Sequence, residues 1–392
     1  MNKKVYLFAI ASFVVGAAEL ILGGILDLIA DALKVPLSKA GLLISIFSLV
    51  YAVSAPVVLT ATAKVERKKV YMWSLVVFLL SNILAAASMN YTMLFLSRIL
   101  AAASGSAIII LSTTLAARIV KPEYQGRAIG VVFMGISASL VLGIPLGIYI
   151  GNSFGWREVF AVIAILTGII IAAMWFTMDR MQPSPPLPLK QQLKAIRGSK
   201  MVAIHLATLF VLAGHLTLYA YFTPFLQETF GLSSNMVMLV YGIFGIAAVA
   251  GGGLGGVISD KWNPAGAVIA VISLFLISML VLPLAVNLPF AAFLVLMIMW
   301  SALSWALSPV QNNLIIHSSP ENSEILISTN SAVTHLGISI GSYVGGLIIQ
   351  GSSVLYNGWA GSIFVLLGLI CSLFAVTRQT SITSQAEPSL KA

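Results

Sequence analysis

An all-α membrane fold of twelve transmembrane helices, arranged as two pseudo-symmetric six-helix bundles, is what this sequence predicts, and three observations carry it. Of 392 residues, 59% are hydrophobic and only 8% charged, where a soluble domain carries about 25% charged residues. Apolar runs recur at the length of roughly 20 residues that a helix needs to cross the hydrocarbon core. Landmarks of the first half return in the second at nearly constant offset, as expected of a duplicated unit.

The spans are read in order at 5–30, 38–60, 70–88, 92–117, 128–151 and 157–178, then 201–226, 233–258, 265–286, 289–312, 325–350 and 358–377. The first follows Lys3 and Lys4, is longer than the ~7–15 residues of a signal-peptide core and lacks a clear cleavage site, so it is expected to stay as span 1. Between the sixth and seventh runs lies DRMQPSPPLPLKQQLKAIRGSK, proline-rich, then basic, and too polar for lipid. The division is therefore 1–178, an N-terminal six-helix bundle; 179–200, a cytoplasmic linker; and 201–392, a C-terminal bundle with a short cytoplasmic tail.

The repeat is visible in ordered pairs. Glu66 after span 2 matches Asp260 after span 8, an offset of 194. Gly143-x-x-x-Gly147 in span 5 matches Gly341-x-x-x-Gly345 in span 11, an offset of 198, and Gly155-Trp156 matches Gly358-Trp359, an offset of 203.

Basic residues set the orientation. With a cytoplasmic N-terminus, 17 of the 21 Lys and Arg fall on the inner side, Lys34, Lys39 and Arg157 on the outer side, and Arg98 inside span 4. That asymmetry places both termini in the cytoplasm. The net charge of +9 is thus a topology signal rather than a nucleic-acid footprint. One cysteine, Cys371, excludes an internal disulfide and a cysteine metal site. No cofactor or metal is implied, and H-E-x-x-H and G-x-S-x-G are absent, which speaks against an intramembrane enzyme.

No G-x-x-x-x-G-K-[ST] loop is present, so any uphill work draws on an ion gradient. Among the twelve acidic residues only Glu19 lies well inside a span. A charge there costs at least about 2.5–3.5 kcal/mol. Low dielectric disfavours a carboxylate and a nearby cation favours it, so a group switched between those surroundings loads and releases a proton. Arg98 is the expected partner: at ~1.5 Å per residue it lies roughly 10 Å below the outer boundary, against roughly 15 Å for Glu19. The alternative is a structural tie in which Arg98 caps backbone carbonyls.

His215 in span 7 stands 196 residues after Glu19, at the pseudo-symmetric position, and shares a helical face with Tyr219 and Phe222. An imidazole beside aromatic rings suits hydrogen bonding and stacking of a flat heterocycle; a satisfied core histidine is the plainer alternative. Trp300 and Trp305, with Ser301 and Ser304 between them, are candidates for a second aromatic wall or for packing. Asn330 and Ser331 are polar positions in an apolar run and candidate cavity residues, whereas His205 reads as structural and His335 as undecided.

Four passages resemble the major facilitator superfamily, in its drug:proton antiporter branch with twelve spans. GGLGGVISDKWN, with Gly256, Asp260 and Lys261, is similar to that family's G-x-x-x-D-[RK] loop between spans 8 and 9. TAKVERKK, with Glu66 and Arg67, resembles the counterpart after span 2, with Thr62 in place of the leading glycine and the later glycine missing. SLVLGIPLG, with Gly143, Pro145 and Gly147, resembles the antiporter motif of span 5. Arg98 in SRILAAASG stands at the family's span 4 arginine, without its usual glutamine-glycine pair. GAAEL…GGIL, TAKVERKK, LAGHLTLYAYFTPFL and SWALSPVQ look, more narrowly, like bacterial purine base and nucleoside efflux pumps.

The resemblance implies a monomeric, proton-coupled exporter of the bacterial inner membrane, working by alternating access on a small planar heterocycle. It also implies that Glu66–Arg67 and Asp260–Lys261 latch cytoplasmic helix ends in the outward-facing state. The glycines of spans 5, 8 and 11 suit close backbone contacts, either sliding between halves or static. A multidrug or sugar-related exporter of the same branch, and a non-transporting sensor, are the competing expectations.

Overall fold

A computed structural model describes residues 3–183, 196 and 198–378 of the chain. Twelve helices among these residues are long and apolar enough to cross a membrane, and no strand occurs among them. Spans 1–6 are Lys4–Gly24, Leu37–Val58, Arg67–Ala86, Tyr91–Arg118, Pro122–Phe154 and Trp156–Thr177. Spans 7–12 are Ser199–Tyr219, Ser234–Lys261, Pro264–Val281, Phe290–Ser318, Pro320–Gly351 and Tyr356–Thr377. Most of the 179–200 linker falls outside the described residues. Its start is tied down: the Arg67 amide donates to the Met181 carbonyl at 3.0 Å, and Lys4 contacts Asp179.

Local chemistry accounts for the helix ends. The Asn90 side chain accepts from the Met93 amide at 2.9 Å and opens span 4, and Asn263 does the same for Ala265 before span 9. Gly155, at φ +111°, makes the sharp turn between spans 5 and 6 in a conformation disfavoured for other residues. Hydroxyls inside the spans return their hydrogen bonds to their own helix, as Ser104 does to Leu100 and Thr167 to Ile163, because lipid supplies no partner.

Three spans are interrupted. Span 1 is α-helical to Leu20, tightens to a 3-10 turn at Ile21–Gly24, breaks at Ile25 and resumes as Leu26–Leu33. Span 7 breaks at Tyr221 and resumes as Phe222–Phe230. The two break residues have nearly the same backbone, φ −126°, ψ 19° at Ile25 and φ −119°, ψ 25° at Tyr221. They are 196 residues apart, the offset that relates Glu19 to His215. Span 5 loosens to a π-helical turn at Ser139–Gly143, with Pro145 two residues beyond it.

Packing repeats as the sequence does. Span 1 packs on spans 5 and 6, 2 on 4, and 3 on 4 and 6; in the second half 7 packs on 11 and 12, 8 on 10, and 9 on 10 and 12. Two antiparallel pairs join the halves, span 2 with span 11 and span 5 with span 8. The Gly155-Trp156 and Gly358-Trp359 match does not survive as geometry. Gly155 is a turn and Trp156 is buried, whereas Gly358 lies inside a helix against Pro283 and Trp359 is exposed.

The glycine expectation also needs correction. Gly143 and Gly147 face Ala17 and Ile21 of span 1, and Gly341 and Gly345 face Ala213 and Thr217 of span 7, so these contacts lie within each half. Between halves the close approaches are Gly41 on the Tyr221 ring, Gly346 on Ser38, and Gly245 against Leu140 and Val141. In span 8, Gly251 and Gly255 pack on Ala302 and Ala306 of span 10, while Gly256 faces open space.

Candidate functional site

A cavity of about 330 Å³ opens between the halves, within the ~300–1,000 Å³ range of small-molecule sites. Its deep end is closed on the face away from the N-terminus. There the Gly23 carbonyl accepts from Thr223 Oγ1 at 3.0 Å and from the Tyr241 hydroxyl at 3.2 Å, so the two backbone breaks are bolted together. Gln227 Nε2 donates to Asp27 at 3.0 Å, Tyr221 to the Ser342 carbonyl at 2.9 Å, and the Ser45 and Ser342 hydroxyls meet at 2.8 Å. Toward the N-terminal face the lining residues Phe133, Ser308 and Ser331 are exposed. The cavity is accordingly open on that side.

Glu19 lines this cavity, and the break just beyond it leaves it at the end of an uninterrupted α-helix. Its ionic neighbour is not Arg98. His335 Nδ1 lies 3.5 Å from Glu19 Oε1, and no ion pair within 4 Å joins Glu19 to Arg98 among the described residues. The guanidinium carbon of Arg98 sits 4.3 Å from the centroid of the Phe47 ring, 1% exposed and outside the cavity lining. Phe47 faces the cavity itself, so it stands between the cavity and the Arg98 cation. Which residue span 2 inserts between spans 1 and 4 is a matter of packing.

The opposite wall is aromatic. His215 stacks on Tyr219 at 5.2 Å and 15°, with Trp300 at 5.1 Å, Phe275 at 5.9 Å and Phe244 at 6.4 Å. His215, Tyr219 and Trp305 line the cavity. Phe222 and Trp300 do not: both are fully buried and brace the wall from behind, 5.4 Å apart. His215 Nδ1, the Tyr219 hydroxyl and Trp300 Nε1 are buried without hydrogen-bond partners. Unpaired buried groups of this kind cost ~1–3 kcal/mol each and cluster where a ligand or water completes them.

Asn330 and Ser331 also line the cavity, as expected, and Asn330 Oδ1 lies 3.2 Å from His205 Nδ1. Gln311, Thr208, Ser304, Ser308, Thr334, His335, Ser48 and Tyr51 complete the polar lining. In the sequence the signals for these are Ser304 between the two tryptophans and the SWALSPVQ passage, which holds Ser304, Ser308 and Gln311; Thr208, Thr334, Ser48 and Tyr51 carry none. At the N-terminal face Glu66 and Arg67 open span 3, with Arg67 buried. Asp260 and Lys261 close span 8, both exposed, and Asp260 makes no ion pair within 4 Å among the described residues.

Known proteins with this sequence and architecture are transporters. The profile described as the Major Facilitator Superfamily matches residues 8–342. "Uncharacterized MFS-type transporter YbcL" of Bacillus subtilis (strain 168) is 35% identical over 376 residues, covering 96% of each chain. "Probable sugar efflux transporter" of Pasteurella multocida (strain Pm70) is 26% identical, covering 94% of this chain and 90% of the relative. Among solved structures, a bacterial homolog of the human lysosomal transporter Spinster, inward-facing and occupied, superposes with TM-score 0.78 at 14% identity, covering 98% of both chains. A D-xylose–proton symporter gives TM-score 0.78 at 16% identity, covering 95% and 97%. Twelve spans in a duplicated arrangement, a cavity between the halves and these matches together place the chain in the Major Facilitator Superfamily.

Proposed function

We propose that this transporter exports a small planar heterocycle, of the purine base or nucleoside class, in exchange for protons. The observation that carries the substrate class is the wall of parallel rings at His215 and Tyr219, backed by Trp300, with unpaired polar atoms among the rings. A flat heterocycle offers both a stacking face and hydrogen-bonding edges, and so satisfies both halves of that surface. Proton coupling rests on Glu19, an acid in a water-accessible cavity inside a span, with Arg98 as its electrostatic background.

Alternating access follows on the same reading. The state described is closed at the Gly23–Thr223–Tyr241 contact and open toward the N-terminal face, which the basic residues assign to the cytoplasm. Asp260–Lys261 and Glu66–Arg67 stand at that open mouth, where they would engage when it closes. The working unit is a monomer in the bacterial inner membrane, with the halves divided at 179–200. A second reading, a sugar exporter, is favoured by the name of the Pasteurella multocida relative.

One experiment separates the two. Proteoliposomes with an imposed pH gradient are tested for uptake of labelled adenine and adenosine, with unlabelled purines, nucleosides, glucose and lactose as competitors. Competition by purines and not by sugars is the expected result. Competition by sugars alone overturns the heterocycle reading, and transport indifferent to the gradient overturns proton coupling.

A further inference from the structure

We propose that His335, on span 11, is the second proton-coupling group, forming with Glu19 of span 1 a pair that shares one proton across the boundary between the halves. The inference rests on the proton-coupled reading of Glu19 and adds to it a partner in the other half of the molecule.

The geometry is specific. His335 Nδ1 is buried, makes no hydrogen bond, and lies 3.5 Å from Glu19 Oε1, so the carboxyl group is the one ionisable group recorded within 4 Å of it among the described residues. The Tyr51 ring stacks on the imidazole at 3.9 Å between centroids and 29°, which holds the ring in place and covers one face. Tyr51 belongs to span 2, so the imidazole is gripped by two spans of the first half while it rides on a span of the second. One turn or two outward the same pair of spans is tied by Ser45 and Ser342.

A proton between these atoms has two homes and one net charge. On Oε1 the acid donates to a neutral imidazole; on Nδ1 the imidazolium faces a carboxylate. No other reactant is needed, and the proton leaves to water through the cavity, which both residues line. The other ionisable side chains that line the cavity are Tyr51 of span 2 and His215 and Tyr219 of span 7, and His205 of span 7 contacts the lining residue Asn330. Span 10 presents Ser304, Trp305 and Gln311, which do not titrate in the working range, and Arg98 of span 4 is held behind Phe47.

Because the two residues belong to different halves, movement of span 11 against span 1 during closure of the open mouth separates them. Separation obliges the proton to be settled on one group or released, which is how a titration becomes linked to a conformational change. A coupling residue confined to one half has no such direct link.

The test is the pH dependence of the conformational balance, which needs no knowledge of the substrate. Spin labels at Lys64→Cys and Glu321→Cys, in a Cys371→Ser background in nanodiscs, report the opening on the N-terminal face. Wild type should change its open fraction with pH, and Glu19→Gln should be flat. His335→Gln and His335→Asn should move the midpoint by one pH unit or more, or flatten it, while Tyr51→Leu should move it less. Monodisperse protein and an unaltered pair of distance peaks establish that each variant is folded. If Glu19→Gln is flat but both His335 variants titrate like wild type, the pair is overturned and Glu19 acts alone. If wild type and Glu19→Gln are equally insensitive to pH, the proton-coupled reading itself falls.

Discussion

Spans 1 and 7 carry the same backbone break at the same place in the repeat, Ile25 and Tyr221, yet the side chains just before the breaks stand in opposite surroundings. Glu19 meets an imidazole and a cavity wall with Ser48 and Tyr51; its counterpart His215 is enclosed by four aromatic rings. A duplicated scaffold has thus kept its backbone break and differentiated the surroundings. Low dielectric with an ionic neighbour favours proton handling, and aromatic enclosure favours a flat ligand. On the proposed reading, span 1 would couple and span 7 would recognise.

The largest effect should come from Glu19→Gln, nearly isosteric but unable to titrate. Gradient-driven accumulation is expected to be lost altogether while substrate binding is retained, since the amide keeps the shape and hydrogen-bonding capacity of the protonated acid. Accumulation assays and equilibrium binding on the same purified variant measure both; accumulation at the wild-type rate would end the assignment of coupling to span 1.

The closed far face, where the span 7 break packs on span 2, gives the next effect. A side chain at Gly41 would overlap the Tyr221 hydroxyl in the closed far face, and overpacking costs about 1–3 kcal/mol. Gly41→Ala should therefore raise the population open on the far face by roughly 5- to 150-fold. Distances between labels at Lys34 and Glu228 would show it, and an unchanged distribution would mean that the Gly41–Tyr221 contact does not hold this state closed.

Recognition by span 7 is tested by Tyr219→Leu, which removes the ring stacked on His215. Such a pair contributes about 0.5–1.5 kcal/mol, so binding should weaken by about 2- to 12-fold. The ratio of protons to substrate moved should stay as in wild type. A change in that ratio with unchanged affinity would reverse the roles assigned to the two spans.

The smallest effect is expected at Asp260, exposed and unlatched in the open state. Asp260→Asn should favour the state open toward the N-terminal face by less than about five-fold, because an exposed charge pair contributes little. The Lys64–Glu321 label pair reads this directly, and a shift in the opposite direction would exclude a latch that engages on closure.

The sequence by itself determined the fold class, the number of spans and the identity of the intramembrane acid. Those follow from solvent: a hydrocarbon layer of fixed thickness demands runs of about 20 apolar residues and makes a lone carboxylate at Glu19 conspicuous. Even the relation of Glu19 to His215 was legible, as an offset within a duplicated chain. Tertiary structure alone decided that Glu19 meets His335 rather than Arg98, that Phe222 and Trp300 stand behind the wall rather than in it, and that the span 5 and span 11 glycines pack within their own halves. The reason lies again in the solvent. In lipid both the packed and the outward faces of a helix are apolar, so hydropathy marks that a span crosses but not which way each residue turns, and the partners of a residue are settled only when helices pack.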